Sequence, residues 1–279
     1  MNPTDKSTAF PSPIVLQKPS GARATVSPYG AHVLSWRPAG DEERLFLSER
    51  AEYRFGTPIR GGVPVIFPQF AGEGTLPKKH GFARTALWKM VEQTPTRAQL
   101  HLTDAQASHE LWPFRYLAEI TVTLDDTSLR VELAVSNHDE RAFAFTAALH
   151  TYIRVANADN AVVHGLRGLR YRDTAHNGVE ADERPEALRI EDEIDRIYFN
   201  VPTEPAIALR EPSRRTRISG EGFCDVVVWN PGADKAAQFA DLDPEGWRRF
   251  VCVESAVIGK TVKLAPKQRW SGAQILHSD

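Results

Sequence analysis

Cysteine is scarce in this 279-residue chain: there are two, Cys224 and Cys252. No Cys/His spacing suggests a zinc site or a disulfide framework. Each thiol lies in an apolar run, which predicts two reduced cysteines facing a core. Long apolar stretches are also missing, and none approaches the ~18 residues of a membrane span. The first residues, MNPTDKSTAFPSP, lack a basic segment followed by an apolar one. No signal peptide is therefore expected, and the cytoplasm is the expected location. Neither sign of charge dominates: 34 Lys and Arg face 36 Asp and Glu, for a net charge of -2. Such a balance gives no field favouring nucleic acid or a membrane surface. The one basic run, RRTR at 214–217, stands beside Glu211 and Glu221 and reads as a solvated strand or turn. Helical periodicity is scarce, with residues 234–240 and 243–248 the best short candidates. No glycine-rich loop joins a strand to a long helix, which disfavours Rossmann and P-loop nucleotide binding. Ser255 has no GxSxG context, which argues against a serine hydrolase.

What is present is β pattern. The chain is 42% hydrophobic and 25% charged, an ordinary globular composition without a break that would divide it. Alternating or β-branched runs predict strands at 14–18, 22–26, 31–36 and 44–47, separated by turn residues. A pair at 86–92 and 98–103 follows, then a short helix or turn at 104–112. The runs 114–124, 128–136 and 142–155 are long and alternate well, which favours a large antiparallel sheet. Residues 156–192 read as loops between short strands. Strands resume at 206–210, 215–219, 225–229, 249–253, 261–264 and 269–276. The predicted fold class is all-β, a large antiparallel β-sandwich of two or three sheets with few short helices. It forms one domain over 13–279, preceded by a flexible segment at 1–12. A monomer is expected.

Residues 57–88, TPIRGGVPVIFPQFAGEGTLPKKHGFARTALW, combine glycine and proline with aliphatic and aromatic side chains. Glycine allows close backbone approach and proline fixes φ. The stretch therefore reads as a semi-buried loop holding Arg60, His80 and Arg84 at fixed angles. That chemistry suits a cationic pocket for an anionic ligand; the plain alternative is two arginines paired to surface acids. Gln69 and Phe70 either line the pocket or pack the loop.

Two further residues stand out against apolar surroundings. His150, in AALHTYIRV, can give or take a proton near neutrality, or be a satisfied core histidine. Tyr152 shares its face. Glu254, in RRFVCVESAVIG, reads as a carboxylate at the end of a buried strand. It is either a base or a strand-end partner of an arginine. Asp195, in EIDRIYFN, could bind a hydroxyl or pair with Arg196. Trp229 and Asn230 end a strand and could touch a ligand or form a turn. The other histidines, His32 among them, attract no role. Together, a histidine, a glutamate and an arginine-bearing loop suit proton transfer on a small anionic molecule.

RGGVPVIFPQF, LPKKHGFAR, ALHTYIRV, DRIY, VVWNP and PEGWRRFVCVE, in this order over about residues 15–276, resemble the glucose-6-phosphate 1-epimerases of the aldose 1-epimerase superfamily. The resemblance implies a galactose mutarotase-like β-supersandwich with its site on a concave face. It implies His150 as general acid and Glu254 as general base, His80 and Asp195 on the sugar, and Arg60 and Arg84 on the 6-phosphate of a hexose. No cofactor and no metal are implied. The sequence departs from the family in following the VCVE glutamate with Ser255 and Ala256, and no role passes to Lys78 or Lys79. Two rival expectations remain: a mutarotase of unphosphorylated aldoses, and a non-catalytic sugar-phosphate-binding protein on the same fold.

Overall fold

The computed structural model describes residues 9–105, 110–204 and 206–279. Three antiparallel sheets account for the strands. A nine-stranded sheet has Arg269–Ser278 as its central strand, with the hairpin of Tyr116–Leu124 and Ser128–Asn137 alongside. An eight-stranded sheet runs through Ile194–Tyr198, Asp225–Asn230, Phe250–Leu264 and Phe143–Leu149. A small sheet of Ile14–Gln17, Arg23–Ser27 and His32–Arg37 completes the set.

The alternation seen in sequence has a direct cause here. In Tyr116–Leu124 and Ser128–Asn137 every second residue is buried, because one face of the sheet meets the core and the other meets solvent. One large apolar cluster lies between the two big sheets, joining Leu133 and Ile120 of one to Val228 and Val253 of the other. A second cluster covers the opposite face of the eight-stranded sheet, with Ile197, Val227, Trp229, Cys252 and Phe250. That face carries the site. Each such side chain contributes about 1.5–3 kcal/mol on burial, so the sheet has apolar support on both sides.

The structure departs from the sequence reading at several points. Residues 44–47 make only the isolated bridges of Leu45 and Leu47. The run 142–155 is divided into Phe143–Leu149 and Tyr152–Arg154, with His150 and Thr151 between. Conversely, 249–253 and 261–264 are parts of one strand, Phe250–Leu264, whose register shifts between Val257 and Val262. The two helical candidates shrink to Gly232–Ala236 and a 3-10 turn at Gly246–Arg249. The candidate at 104–112 includes 106–109, outside the described residues. Cys252 is buried, Cys224 is only half-buried, and both are free thiols. The Phe10 ring packs against Tyr29, Tyr53 and Phe55, with centroids within 5.6 Å.

Candidate active site

The loop at 57–88 is fixed by backbone as much as by side chains. Gly62 has φ +62, and a Cβ there would meet the Val33 carbonyl oxygen at 2.2 Å and His32 Nε2 at 2.7 Å. Glycine is thus required where the loop crosses the small sheet. Tyr152 N–H donates to the Gly62 carbonyl (2.9 Å) and His150 N–H to that of Pro64 (3.0 Å), which ties the loop to the break between the two strands. His80 itself adopts φ +66. Its Nδ1 accepts from Ala71 N–H (3.3 Å), and its ring stands edge-on to Phe70 and to His150, the latter at 5.9 Å between centroids.

Gln69 is turned into its own loop. Its Nε2 donates to the carbonyls of Leu76 (3.1 Å) and Lys78 (3.3 Å), and its Oε1 accepts from Leu76 N–H (2.9 Å). The expected substrate contact gives way to a bracing role, because both ends of the buried amide are already used.

Arg60 lies 4.5 Å over the Phe239 ring. Asp241 accepts from its Nε (3.2 Å) and Nη2 (3.1 Å), and its Nη1 reaches Tyr152 Oη at 3.2 Å. Arg84 is held differently. Its Nη2 donates to the Lys79 carbonyl (3.2 Å), while its Nε has no partner among the described residues. The positive charge of Arg84 is felt by His80, His150, Lys78 and Glu254 alike. Arg84 therefore keeps donor capacity that none of the described residues uses.

His150 and Glu254 meet at the centre of the eight-stranded sheet. Nε2 of His150 is 3.3 Å from Oε1 of Glu254. Glu254 is not at a strand end; it sits in mid-strand, opposite Val227, and is 1% exposed. The apolar run continues through Ala256 to Ile258, which keeps the strand paired beyond the glutamate. The His150 ring stacks on Tyr152 at 5.0 Å and meets Trp229 edge-on at 5.6 Å. Glu254 Oε2 and His150 Nδ1 are buried without partners among the described residues.

Burial pushes the Glu254 carboxyl well above the usual carboxylate range; Asp195 adds to this and Arg84 opposes it. Burial likewise holds His150 well below the usual imidazole range, aided by His80 and Arg84. His80 is lowered to about 3, chiefly by burial and then by Arg84. A raised carboxyl is a stronger base when ionised, and a lowered imidazole is a stronger acid when protonated. A single proton on such a pair can sit on either partner without any change in net charge.

Asp195 pairs in register with Trp229, which pairs with Cys252, so all three face the side of the sheet that carries Glu254. Burial raises the Asp195 pKa, with Glu193 and Asp173 adding to the shift against Thr174 and Lys235. Arg196 points to the other face and pairs with Asp173 and Glu183 instead. The expected alternative of an Asp195–Arg196 pair fails because adjacent strand residues face opposite ways. The loop therefore brings Arg60, His80 and Arg84 around His150 and Glu254, with Asp195 beside them on the sheet. Sequence reasoning missed Phe239 and Asp241, which lie in an ordinary charged loop 181 residues from Arg60 and carry no local signal. It also missed His32, fully buried and bonded through Nε2 to the Gly61 carbonyl at 2.7 Å. No group of three or more His, Cys, Asp or Glu side chains among the described residues is arranged to hold a metal ion.

Fold and site together define a large antiparallel β-sandwich with a buried histidine–glutamate contact on one face. The aldose 1-epimerase family profile matches residues 12–277. A protein of Cenchrus ciliaris is 32% identical over 93% of this chain and 82% of its own length. One of Escherichia coli K12 is 33% identical over 91% of this chain and 86% of its own. Both carry the name "Putative glucose-6-phosphate 1-epimerase". A crystal structure titled as a "putative mutarotase" from Salmonella typhimurium superposes with a TM-score of 0.87 at 27% identity, covering 95% of this chain and 90% of that one. A protein of Synechocystis sp. PCC 6803, at 19% identity and TM-score 0.81 over 100% of this chain and 99% of that one, shares the fold. The chain belongs to the aldose 1-epimerase family. It is an isomerase with a galactose mutarotase-like fold.

Proposed function

We propose that the protein interconverts the α and β anomers of a hexose 6-phosphate, glucose 6-phosphate in the first instance. The observation that carries this reading is the buried His150–Glu254 contact, 3.3 Å across, beside Arg84 with its unsatisfied Nε. Glu254 as carboxylate takes the proton from the anomeric hydroxyl, and protonated His150 donates to the ring oxygen. The C1–O bond of the ring breaks and the aldehyde forms. After rotation about C1–C2 the steps reverse on the other carbonyl face. At the open-chain stage the pair stands as neutral imidazole and protonated carboxyl, the form that burial favours for both groups. Arg84 and Arg60 take the phosphate, where a guanidinium gives charge-assisted paired bonds. Asp195 and His80 bind sugar hydroxyls. Holding the phosphate remote from C1 orients the ring and contributes through positioning.

The test is NMR exchange between the anomers of glucose 6-phosphate, with spontaneous mutarotation subtracted, against glucose and galactose. Acceleration specific to the phosphorylated sugar supports the reading. Equal rates on glucose and glucose 6-phosphate remove the phosphate assignment, and tight binding without acceleration removes catalysis.

A further inference from the structure

The hydroxyl residue that follows each member of the acid–base pair faces the other way. Thr151 and Ser255 are 0% and 2% exposed and point between the two large sheets. There both meet Gln274, a 1% exposed residue of the Arg269–Ser278 strand in the nine-stranded sheet. Gln274 Nε2 donates to Ser255 Oγ (3.1 Å) and to the Val253 carbonyl (3.0 Å). Its Oε1 accepts from Thr151 Oγ1. Val253 N–H in turn donates to the Thr151 carbonyl (3.1 Å), and Ser255 pairs in register with Leu149. One amide from the opposite sheet thus grips the residues on both sides of Glu254 and the residue after His150.

Its place needs explaining. The surrounding core is apolar, and an apolar side chain of similar size would pack there without any hydrogen-bond requirement. His150 moreover lies in a break, outside the ladder that aligns a strand residue with its neighbour. Its ring packs on Tyr152 and Trp229, and the next residue, Thr151, is the one held across the core. A fully partnered buried amide has one orientation and fixes its partners in one arrangement.

We infer that Gln274 is a positioning residue that, through Thr151 and Ser255, sets the separation of His150 and Glu254 from inside the sandwich. The inference rests on the function proposed above. Gln274 touches no reacting atom; a misplaced pair loses proton transfer while the phosphate and sugar contacts on the other face persist.

The experiment compares Gln274→Met, Thr151→Val and Thr151→Ser with the wild-type protein. It measures kcat and KM for glucose 6-phosphate exchange, thermal unfolding, and the imidazole ¹⁵N signals of His150 without substrate. Gln274→Met and Thr151→Val are expected to lower kcat roughly 10- to 100-fold with KM within about twofold, the range that small misplacement of acid–base groups produces. Thr151→Ser is expected to retain most of kcat. A Gln274→Met protein with wild-type kcat, or one whose loss lies only in KM or tracks lost stability, overturns the inference. If the wild-type protein does not accelerate exchange, the functional reading falls, and the His150 signals decide alone: a shift in Gln274→Met supports positioning, and unchanged signals refute it.

Discussion

Asp241 holds Arg60 side-on, accepting from Nε and Nη2, and so leaves Nη1 directed at Tyr152. Much of the Arg60 charge is thereby already balanced, whereas Arg84 has no such partner at Nε. The two arginines are not equivalent. Arg84→Ala is expected to raise KM for glucose 6-phosphate about 10- to 100-fold, the equivalent of one lost charge-assisted contact of ~1.5–3 kcal/mol. Arg60→Ala is expected to raise it less and also to unsettle Asp241. Steady-state kinetics decide this, and a pure kcat loss in either variant contradicts a phosphate role.

Removing either member of the acid–base pair should stop the chemistry without unfolding the protein. Glu254→Gln and His150→Ala are each expected to cost on the order of 10²–10⁴ in kcat, as for loss of a positioned acid or base. Glu254→Gln also relieves a buried carboxyl, so its melting temperature should match or exceed that of the wild type. Substantial residual turnover in either would sink the role assigned.

The pH profile should be bell-shaped, since only the pair carrying its single mobile proton is competent. Activity falls on the acid side when a second proton is taken up, at a pH below the ordinary imidazole range because His150 is lowered. It falls on the alkaline side when the shared proton is lost, above the ordinary carboxylate range because Glu254 is raised. Arg84 lowers both groups, so a phosphate that neutralises it should move both limbs upward. Profiles of kcat for glucose 6-phosphate should therefore lie at higher pH than those of kcat/KM, which report the free enzyme. Coincident limbs would argue against a phosphate beside Arg84.

Much of this arrangement was legible beforehand, and the failures have physical causes. The hairpin of Tyr116–Leu124 and Ser128–Asn137 could be read because each strand has one wet face. The break at His150 could not, because it is imposed by the Pro64 carbonyl and by Thr151, contacts with no trace in a local pattern. Glu254 read as a strand end because a carboxylate rarely occupies mid-strand between apolar neighbours. Arg60, His80 and Arg84 were found together because one loop carries them. Asp241 was not, because charge partners far apart in sequence leave no spacing to read.

Gln69 offers a direct contrast between bracing and binding. Gln69→Ala removes the carbonyl and amide that close the loop over Leu76 and Lys78. Loss of about 1–3 kcal/mol of stability is expected, for buried groups left unpaired, measured as a lowered urea midpoint. A raised KM with an unchanged midpoint would restore the substrate contact.

His32 should make the fold acid-sensitive. Burial lowers its pKa to about 4, against an ordinary value of 6.5. The unfolded chain therefore binds a proton first as pH falls, so the stability from neutral His32 is complete above pH 6.5 and drains away towards pH 4. The fall from 6.5 to about 4 corresponds to roughly 3.5 kcal/mol at ~1.4 kcal/mol per pKa unit. Urea midpoints at pH 7 and pH 4.5 test it: His32→Gln should show a shallower acid decline than the wild type.

The depth at which Glu254 is set has a consequence for how the protein behaves in a flask. In the proposed mechanism a carboxylate 1% exposed and in contact with His150 passes its proton to the sugar and takes it back within each turnover. Each turnover returns that proton to where it began. Buffer ions, which speed the spontaneous reaction in proportion to their concentration, should leave the enzymatic rate untouched. The enzyme's share of the exchange is then the part that does not grow when the buffer is doubled.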